Sequence, residues 1–314
     1  MKSIYFKSIT SLLLLFSLFG CKSMENNNAS MDVAFVDSLI QEMTIDEKIG
    51  QMTQVDQQFL NEISDISKYG FGSLLSGGGS TPQVNEPKAW AEMYDLYQRE
   101  ALNSRLKIPL LYGIDAVHGH NNVVGATIFP HNIGLGATRD AKLVESVARA
   151  TALEVAATGI DWDFAPCLAV PNDFRWGRTY EGFSENTELV TELGNAAILG
   201  YQSANINNPN SVLACAKHFI GDGGPLFGTG LKGKIDRGNL AISEEELRKT
   251  HLPPFKKAVE SGVATFMAAY NTWNDVRCHA NKYLLTDILK DELGFKGFVV
   301  SDWAAIEMIP GDYK

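Results

Sequence analysis

The sequence predicts an α/β fold with a parallel sheet, arranged as a (β/α)8 barrel of the TIM type. Helical and strand-like segments alternate from about residue 32 onwards, which is the order typical of parallel α/β proteins. The strand candidates are short apolar runs, as expected of strands that are buried on both faces. Several of these runs end on a charged or titratable residue, and barrels of this type carry their functional groups at the carboxyl ends of the strands.

A doubly wound sheet is the alternative architecture for alternating strands and helices. Such a sheet gathers its ligand contacts at one switch point, and its first strand usually runs into a glycine-rich phosphate-binding turn. The first predicted strand here runs into Gly77-Gly78-Gly79, which lacks that spacing. The barrel is therefore favoured. Eight strands complete a barrel, and six are recognised before Lys314, so the sequence predicts a barrel that is incomplete at its C-terminal end.

The six predicted strands are short apolar runs bounded by polar or turn-forming residues. They cover residues 71–75, 108–115, 160–165, 212–218, 263–270 and 297–301. The side chains at the ends of these runs that could take part in binding or catalysis are Asp115, Lys217, His218, Tyr270 and Asp302. Because parallel strands end on the same side of a sheet, these side chains are expected to lie at one mouth.

Helices are predicted between the strands. Thr44 and Glu47 have the spacing of a capping box and open a helix that runs through Met52. Ser243 is predicted to cap a later helix in the same way. Other predicted helices cover residues 87–104, 141–158, 185–201 and 282–292. The aromatic residues of the first of these are expected to pack on the sheet and not to bind a cofactor; they are Trp90, Tyr94 and Tyr97.

Residues 1–21 predict a secretory signal. Lys2 and Lys7 precede an apolar stretch that is too brief to span a bilayer. Cys21 follows a glycine, as in a bacterial lipoprotein signal, so Cys21 is the predicted lipidation site; an ordinary cleaved signal peptide is the alternative. Residues 22–31 predict a polar tether, and residues 32–314 predict one domain. The chain is expected to be periplasmic or held at the outer membrane by its lipid.

Composition narrows the class of partner. The chain has 314 residues, 45% of them hydrophobic, and a net charge of -10, which allows one large core and argues against nucleic acid or anionic membrane surfaces as partners. Beyond Cys21, an odd number of cysteines gives no complete disulfide framework. The remaining cysteines are Cys167, Cys215 and Cys278. The first two lie in or beside apolar strand-like runs and are predicted to be buried free thiols. Oligomeric state is left open.

Five charged or titratable groups are expected to converge at the barrel mouth: Asp115, Arg178, Lys217, His218 and Asp302. Each has an alternative role. The two aspartates could cap the turns that follow them. The arginine could form a structural ion pair with Glu181, and the lysine and histidine could be satisfied by neighbouring carboxylates.

Taken together, these residue types suit the binding of a sugar ring. Sugar hydroxyls donate and accept hydrogen bonds, so fixing one ring needs acceptors such as Asp115 and donors such as Arg178 and Lys217. Nearby cations also favour the ionised form of Asp302. An ionised carboxylate below an anomeric carbon is the nucleophile of a retaining glycosidase. Trp303 adds a flat apolar surface beside it.

No metal or cofactor is predicted. His118 and His120 have a His-x-His spacing that could bind a metal, but the sequence shows no matching set of acidic or cysteine ligands. A Schiff-base aldolase using Lys217 is a further alternative. Two acids at the mouth would oppose the anionic substrate that such an enzyme holds with Arg178 and His218.

The sequence resembles the N-terminal barrel domain of glycoside hydrolase family 3, the β-glucosidase and exo-β-glucanase group. Four motifs carry the resemblance, in the family's order. They are GIDAVHG at 113–119, RWGR at 175–178, AKHFIGDGG at 216–224 and VSDW at 300–303. The resemblance extends from about Val33 to the end of the chain. A departure from the family pattern at 172–174 concerns the packing of the loop before the second motif.

The resemblance implies the roles of the site residues. Asp302 would be the nucleophile of a retaining double displacement. Tyr270 would lie near it, and Trp303 would line the next subsite. The residues implied to hold the hydroxyls of the terminal sugar in subsite −1 are Asp115, Arg178, Lys217 and His218. Such a pocket implies exo action on β-glucosides or β-glucans, with one terminal β-D-glucosyl residue released per turnover.

The resemblance also raises the question of the general acid/base. In the β-glucosidases of this family a second domain supplies it, and that domain is absent from this sequence, so we expect the chain alone to hydrolyse glycosides poorly. Its β-N-acetylglucosaminidases use an Asp-His pair on the loop after the Lys-His strand. The corresponding loop, Gly221 to Leu240, contains no histidine. The sequence also leaves open a β-xylosidase of the family and a non-catalytic sugar-binding lipoprotein.

Overall fold

The computed structural model describes residues 33–310 of the 314-residue chain. The predicted signal at 1–21, the lipidation site Cys21 and the tether at 22–31 lie outside the described residues. Between residues 33 and 310, no helix is long and apolar enough to cross a membrane.

Strands of the described region form two sheets. They are β1 Gln54–Asp56, β2 Ser73–Ser76, β3 Leu111–Ile114, β4 Trp162–Asp163, β5 Leu213–Phe219, β6 Asn239–Leu240, β7 Thr265–Ala268, β8 Thr272–Trp273, β9 Val276–Arg277 and β10 Phe298–Val300. The main sheet has the order β1-β2-β3-β4-β5-β7-β10, and all of its strand pairs are parallel. Its neighbours follow chain order without a reversal, as in a barrel and unlike a doubly wound sheet.

The sheet curls towards a barrel. Its edges within the described region are β1 and β10, and the loops that follow these two strands approach each other: the ring centroids of Phe59 and Trp303 are 6.0 Å apart. Side chains on the inner face pack together around Trp162, Phe164 and Met267. The predicted fold class, a TIM-type barrel that is incomplete, is therefore confirmed.

Helices connect the strands. They are α1 at residues 33–42, α2 Ile45–Gln51, α3 Asp65–Tyr69, α4 Pro87–Ala101, α5 Asn132–Thr138, α6 Ala141–Ala157, α7 Thr187–Gln202, α8 Glu244–Glu246 and α9 Leu252–Glu260. π-helical stretches cover Leu247–His251 and Tyr283–Glu292. Both predicted N-caps are confirmed: Thr44 and Glu47 form the capping box of α2, and the Ser243 side chain accepts from Glu246 N.

All six predicted strands are present, but the predicted count is wrong, because a seventh strand of the main sheet and the three short strands of the second sheet, β6, β8 and β9, were not predicted. The sequence interpretation missed β1, whose residues Gln54-Val55-Asp56 include one apolar side chain. This strand lies at an edge of the described sheet, so it pairs on one side only, with β2. An edge strand buries less side-chain surface than a central one, and its sequence therefore carries little hydrophobic signal.

The core contains the aromatic residues that were predicted to pack on the sheet. Trp90 is fully buried, and Tyr97 stacks on Tyr112 of β3 with ring centroids 6.1 Å apart. Tyr94 meets the same ring edge-on. The cysteines of the described region are buried free thiols, which confirms the prediction for Cys167 and Cys215; the third is Cys278.

Helices α6 and α7 pack closely because one of them presents a glycine at the contact. A methyl group placed on Gly200 would lie 2.4 Å from the Glu145 carbonyl oxygen and 2.6 Å from the Ala148 Cβ. Neither atom is at the end of a flexible side chain, so the backbones would have to separate.

We expect Gly200→Ala to destabilise the fold by about 1–3 kcal/mol, because overpacking a rigid contact forces a backbone shift. Thermal or urea unfolding measures the effect. Gly78→Ala is the matched control, since a methyl group there would meet no atom within 4 Å. Equal stability of the two variants would contradict this account of the helix contact.

His120 is a buried histidine of the core, 1% exposed. Its Nε2 lies 3.0 Å from the Thr158 hydroxyl, and its Nδ1 has no hydrogen-bond partner. Burial lowers its pKa from 6.5 to about 4. The folded protein therefore keeps this ring neutral over a pH range in which the unfolded chain binds a proton.

The expected consequence is a pH-dependent effect of His120→Gln, in which the amide can still bond Thr158. As pH falls from 6.5 towards 4, only unfolded His120 gains a proton, so wild-type unfolding free energy falls. Glutamine does not titrate. The destabilisation caused by His120→Gln should therefore shrink by about 1–2 kcal/mol between pH 7 and pH 4.5 in urea unfolding. A difference that stays constant with pH would be the opposing result.

Candidate active site

A cavity of about 1210 Å³ opens at the mouth of the sheet. Its lining includes side chains that follow the carboxyl ends of the strands and that lie nearly two hundred positions apart in the chain. Six of the predicted site residues are among them: Asp115, Arg178, Lys217, His218, Asp302 and Trp303. The five charged or titratable groups therefore do meet around one space.

Asp302 follows β10 and is mostly buried. Its Oδ1 accepts a hydrogen bond from the Trp303 backbone N–H at 2.7 Å. Its Oδ2 has no hydrogen-bond partner and lies 3.6 Å from His218 Nε2. The next helical turn begins after Ala304, so the alternative that Asp302 caps it is wrong. This carboxylate keeps one oxygen free.

Lys217 and Asp115 join the ends of β5 and β3. The Lys217 Nζ donates to Asp115 Oδ1 at 2.7 Å. The lysine side chain is 4% exposed and the aspartate side chain 43% exposed. Burial alone would lower the pKa of Lys217, but the Asp115 charge outweighs it and raises that pKa above its ordinary value. The amine therefore stays protonated, which opposes the aldolase alternative.

Arg178 makes the ion pair with Glu181 that the sequence allowed. Its Nε and one terminal nitrogen donate to the two carboxylate oxygens at 2.7 and 2.8 Å. Burial disfavours both charges, but the pair raises the pKa of Arg178 and lowers that of Glu181. The same terminal nitrogen also donates to His218 Nε2 at 3.1 Å. Arg178 therefore forms the structural ion pair with Glu181 and also lines the cavity.

His218 is neutral and has a defined tautomer. Burial, followed by the charge of Arg178, lowers its pKa to about 3. Since Nε2 accepts from Arg178, the ring proton is on Nδ1. Nδ1 lies 2.5 Å from Asp222 Oδ2, but the two atoms are not aligned for a hydrogen bond. Positive charge in the cluster therefore comes from Arg178 and Lys217.

Tyr270 contacts Trp303, the residue that follows Asp302. The Tyr270 hydroxyl donates to the Trp303 carbonyl oxygen, and burial, with the charge of Asp302, raises the pKa of Tyr270. Tyr270 is nearly buried and does not line the cavity, whereas Trp303 is 48% exposed and does. The guanidinium of Arg237 covers the tyrosine ring at 4.0 Å.

Two buried acids of the site were missed by the sequence interpretation. Asp163, at the end of β4, accepts a hydrogen bond from Ala116 N at 2.9 Å and holds the backbone next to Asp115. Burial raises its pKa well above the ordinary value. Asp222 faces His218, and burial raises its pKa to about 6. The sequence feature that could have revealed Asp163 is an acid inside an apolar run, Trp162-Asp163-Phe164.

His279 was also missed. Its Nε2 accepts a hydrogen bond from the Asp302 backbone N–H at 3.1 Å. It lies on the short helix Cys278–Ala280, outside every predicted strand end. No pattern in the sequence links it to a residue that follows it by 23 positions.

The two histidines of the His-x-His motif are not arranged as ligands of one metal. His118 stacks on His131, with ring centroids 4.0 Å apart, and its Nδ1 contacts the Phe129 carbonyl oxygen. His120 lies in the core against Trp90. In the part of the chain that the structure describes, no group of three or more histidine, cysteine or acidic side chains could hold a metal ion.

Comparisons with curated proteins find relatives over most of the chain. A lysosomal beta glucosidase of Dictyostelium discoideum is 37% identical over 300 residues, covering 88% of this chain and 36% of that protein. A periplasmic beta-glucosidase of Salmonella typhimurium is 31% identical over 274 residues, covering 87% of this chain and 34% of that protein. The chain therefore spans about a third of the length of these relatives.

Solved structures and family comparisons agree with these relatives. A mutant of the exo-1,3/1,4-beta-glucanase from a Pseudoalteromonas species superposes with a TM-score of 0.83 at 45% identity, covering 88% of this chain and 45% of that chain. Residues 44–313 match the family described as the glycosyl hydrolase family 3 N terminal domain. The chain therefore belongs to glycosyl hydrolase family 3.

Proposed function

We propose that this chain forms the nucleophile and the terminal-sugar subsite of a retaining exo-β-glucosidase. The observation that carries the proposal is the meeting of the Asp302 carboxylate with Arg178, His218, Lys217 and Asp115 around one cavity. Relatives that are named beta-glucosidase and exo-1,3/1,4-beta-glucanase support β-glucosides as the substrate class.

Asp302 is the proposed nucleophile. In the first displacement one carboxylate oxygen forms a bond to the anomeric carbon as the bond to the leaving oxygen breaks; in the second, water releases the sugar from the enzyme. The unpartnered Oδ2 supports this role, because its lone pairs are not engaged by a donor. The Trp303 N–H bond to Oδ1 limits rotation of the carboxylate.

The remaining polar groups are proposed to bind the terminal sugar. Asp115 Oδ1 accepts a hydrogen bond from Lys217, and the Asp115 side chain is 43% exposed, so its other oxygen can accept a hydrogen bond from a sugar hydroxyl. Lys217 stays charged and has further N–H groups to donate. A carboxylate at this position would stabilise the positive charge that develops on the sugar in the transition state.

The leaving-group side of the site is proposed to lie at Trp303. Its half-exposed indole faces the cavity mouth near Phe59, which is 62% exposed. Flat apolar rings of this kind provide contact area for a sugar or aglycone. We assign protonation of the leaving oxygen to none of residues 33–310.

Export is part of the proposal. The sequence before Lys22 supports lipidation of Cys21 and attachment of the protein to a bacterial membrane through that lipid alone. The relative named periplasmic beta-glucosidase supports a periplasmic location.

We expect an activated fluoroglycoside, 2,4-dinitrophenyl 2-deoxy-2-fluoro-β-glucoside, to trap the enzyme at Asp302. The dinitrophenolate leaving group needs little protonation, so the first displacement does not depend on an acid residue, and the fluorine slows the second. Intact-protein mass spectrometry should find one added fluoroglucosyl group, and peptide mapping should place it on residue 302.

Asp302→Asn is the matched control, because it keeps the size of the side chain and removes the nucleophilic charge. It should stay unlabelled. Labelling of another carboxylate, such as Asp115, or equal labelling of wild type and Asp302→Asn, would refute the assignment.

A further inference from the structure

Asp302 makes one contact with a residue outside the group proposed to bind the sugar. The Asp302 backbone N–H donates to His279 Nε2 at 3.1 Å. The imidazole also lies beside Tyr270, with ring centroids 6.1 Å apart. It is therefore in contact with the backbone of the proposed nucleophile and near the tyrosine that lies next to it.

The hydrogen bonds of His279 define its state. Because Nε2 accepts from Asp302, the ring proton of the neutral form is on Nδ1. The Ala269 backbone lies near the ring and raises its pKa, although less than burial lowers it. Burial lowers the pKa of His279 to about 4, so the ring is neutral at pH 7. The imidazole thus joins the end of β7 to the segment that follows β10.

Two other hydrogen bonds restrain that segment: the Tyr270 hydroxyl donates to the Trp303 carbonyl oxygen, and the Ala305 N–H donates to the Asp302 carbonyl oxygen. Neither of them engages the Asp302 N–H. In the described region β10 pairs with β7 alone, and the last paired residue of β10 is Val300. Asp302 lies two residues beyond the last paired residue of β10 and two residues before Ala304, whose backbone is left-handed with φ 49. A hydrogen bond from the main chain of Asp302 to a neighbouring element therefore restrains the loop where the ladder no longer does.

We propose that His279 is a positioning residue that fixes the orientation of the Asp302 carboxylate; this inference rests on the proposed function. His279 takes up the Asp302 N–H, and Asp302 Oδ1 takes up the Trp303 N–H. The backbone N–H groups of Asp302 and Trp303 therefore both have acceptors. Oδ2 is left without a donor, in the form that attack on an anomeric carbon requires.

Loss of the imidazole leaves the Asp302 N–H without its acceptor. An unsatisfied donor in a mostly buried site is costly, so the loop would shift or the amide would turn to another acceptor. Either response reorients the carboxylate. The bond-forming step should suffer, while the groups that bind the sugar hydroxyls stay in place.

Two amide variants separate this role from a general structural one. The side-chain oxygen of His279→Gln reaches the position of Nε2 and can accept from Asp302 N–H. The shorter side chain of His279→Asn reaches only the position of Nδ1, so it keeps the contact with Ala269 and loses the one with Asp302. His279→Ala loses both.

Time courses of labelling with the fluoroglucoside give the binding constant and the first-order rate constant of Asp302 labelling. In the full-length protein, His279→Ala and His279→Asn should lower the rate constant roughly 10- to 100-fold, the effect of one unsatisfied buried donor. The binding constant should change by less than about threefold, and His279→Gln should recover most of the rate. His120→Gln, which alters a buried histidine outside the site, should label at the wild-type rate.

Amide hydrogen exchange at Asp302 reports on the same contact without catalysis and should be faster in the Asn variant than in the Gln variant. The inference is overturned if the Asn and Gln variants label alike, if the binding constant changes instead of the rate, or if His279→Gln also fails to fold. If wild type itself is not labelled at Asp302, the proposed function fails, and the positioning role of His279 with it.

Discussion

The site depends on the pairing of charges that a parallel sheet brings together at its carboxyl edge. A buried charge is tolerated when an opposite charge and hydrogen bonds compensate it. Lys217 is compensated by Asp115 and Arg178 by Glu181, each through direct bonds of 2.7 Å. His218 stays neutral between them. Asp302 lacks such compensation at one oxygen, because Oδ2 has a neutral histidine at 3.6 Å and no hydrogen-bond donor. The proposed reactive carboxylate therefore has one oxygen that no donor engages.

The fold gives this pairing its geometry. Strands β3, β5 and β10 end at the same mouth although Asp115 and Asp302 are far apart in sequence, and the strands between them follow in chain order. Buried acids under the mouth fix backbone or ring positions without entering the cavity; Asp163 does so beside Asp115. Rigid strand ends hold reacting side chains more precisely than mobile loops do.

Much of this arrangement could be predicted from sequence, because alternating buried strands and helices leave few architectures, and because acids and bases at strand ends are conspicuous. Other features carry no local signal. The edge strand β1 buries too little surface to be recognised. The neutral state of His218 depends on burial and on Arg178, which lies 40 residues earlier. The bond from Asp302 to His279 joins segments whose approach follows from tertiary packing alone.

The most direct measurement of the central claim is chemical rescue of Asp302→Gly by azide with an activated aryl β-glucoside. Removal of the carboxylate opens the face of the sugar that it attacks, so azide should restore release of the aryl group and form the α-glucosyl azide. Formation of that product identifies Asp302 as the group that bonds to the anomeric carbon. No rescue in a folded variant, or formation of the β-azide, would contradict the account.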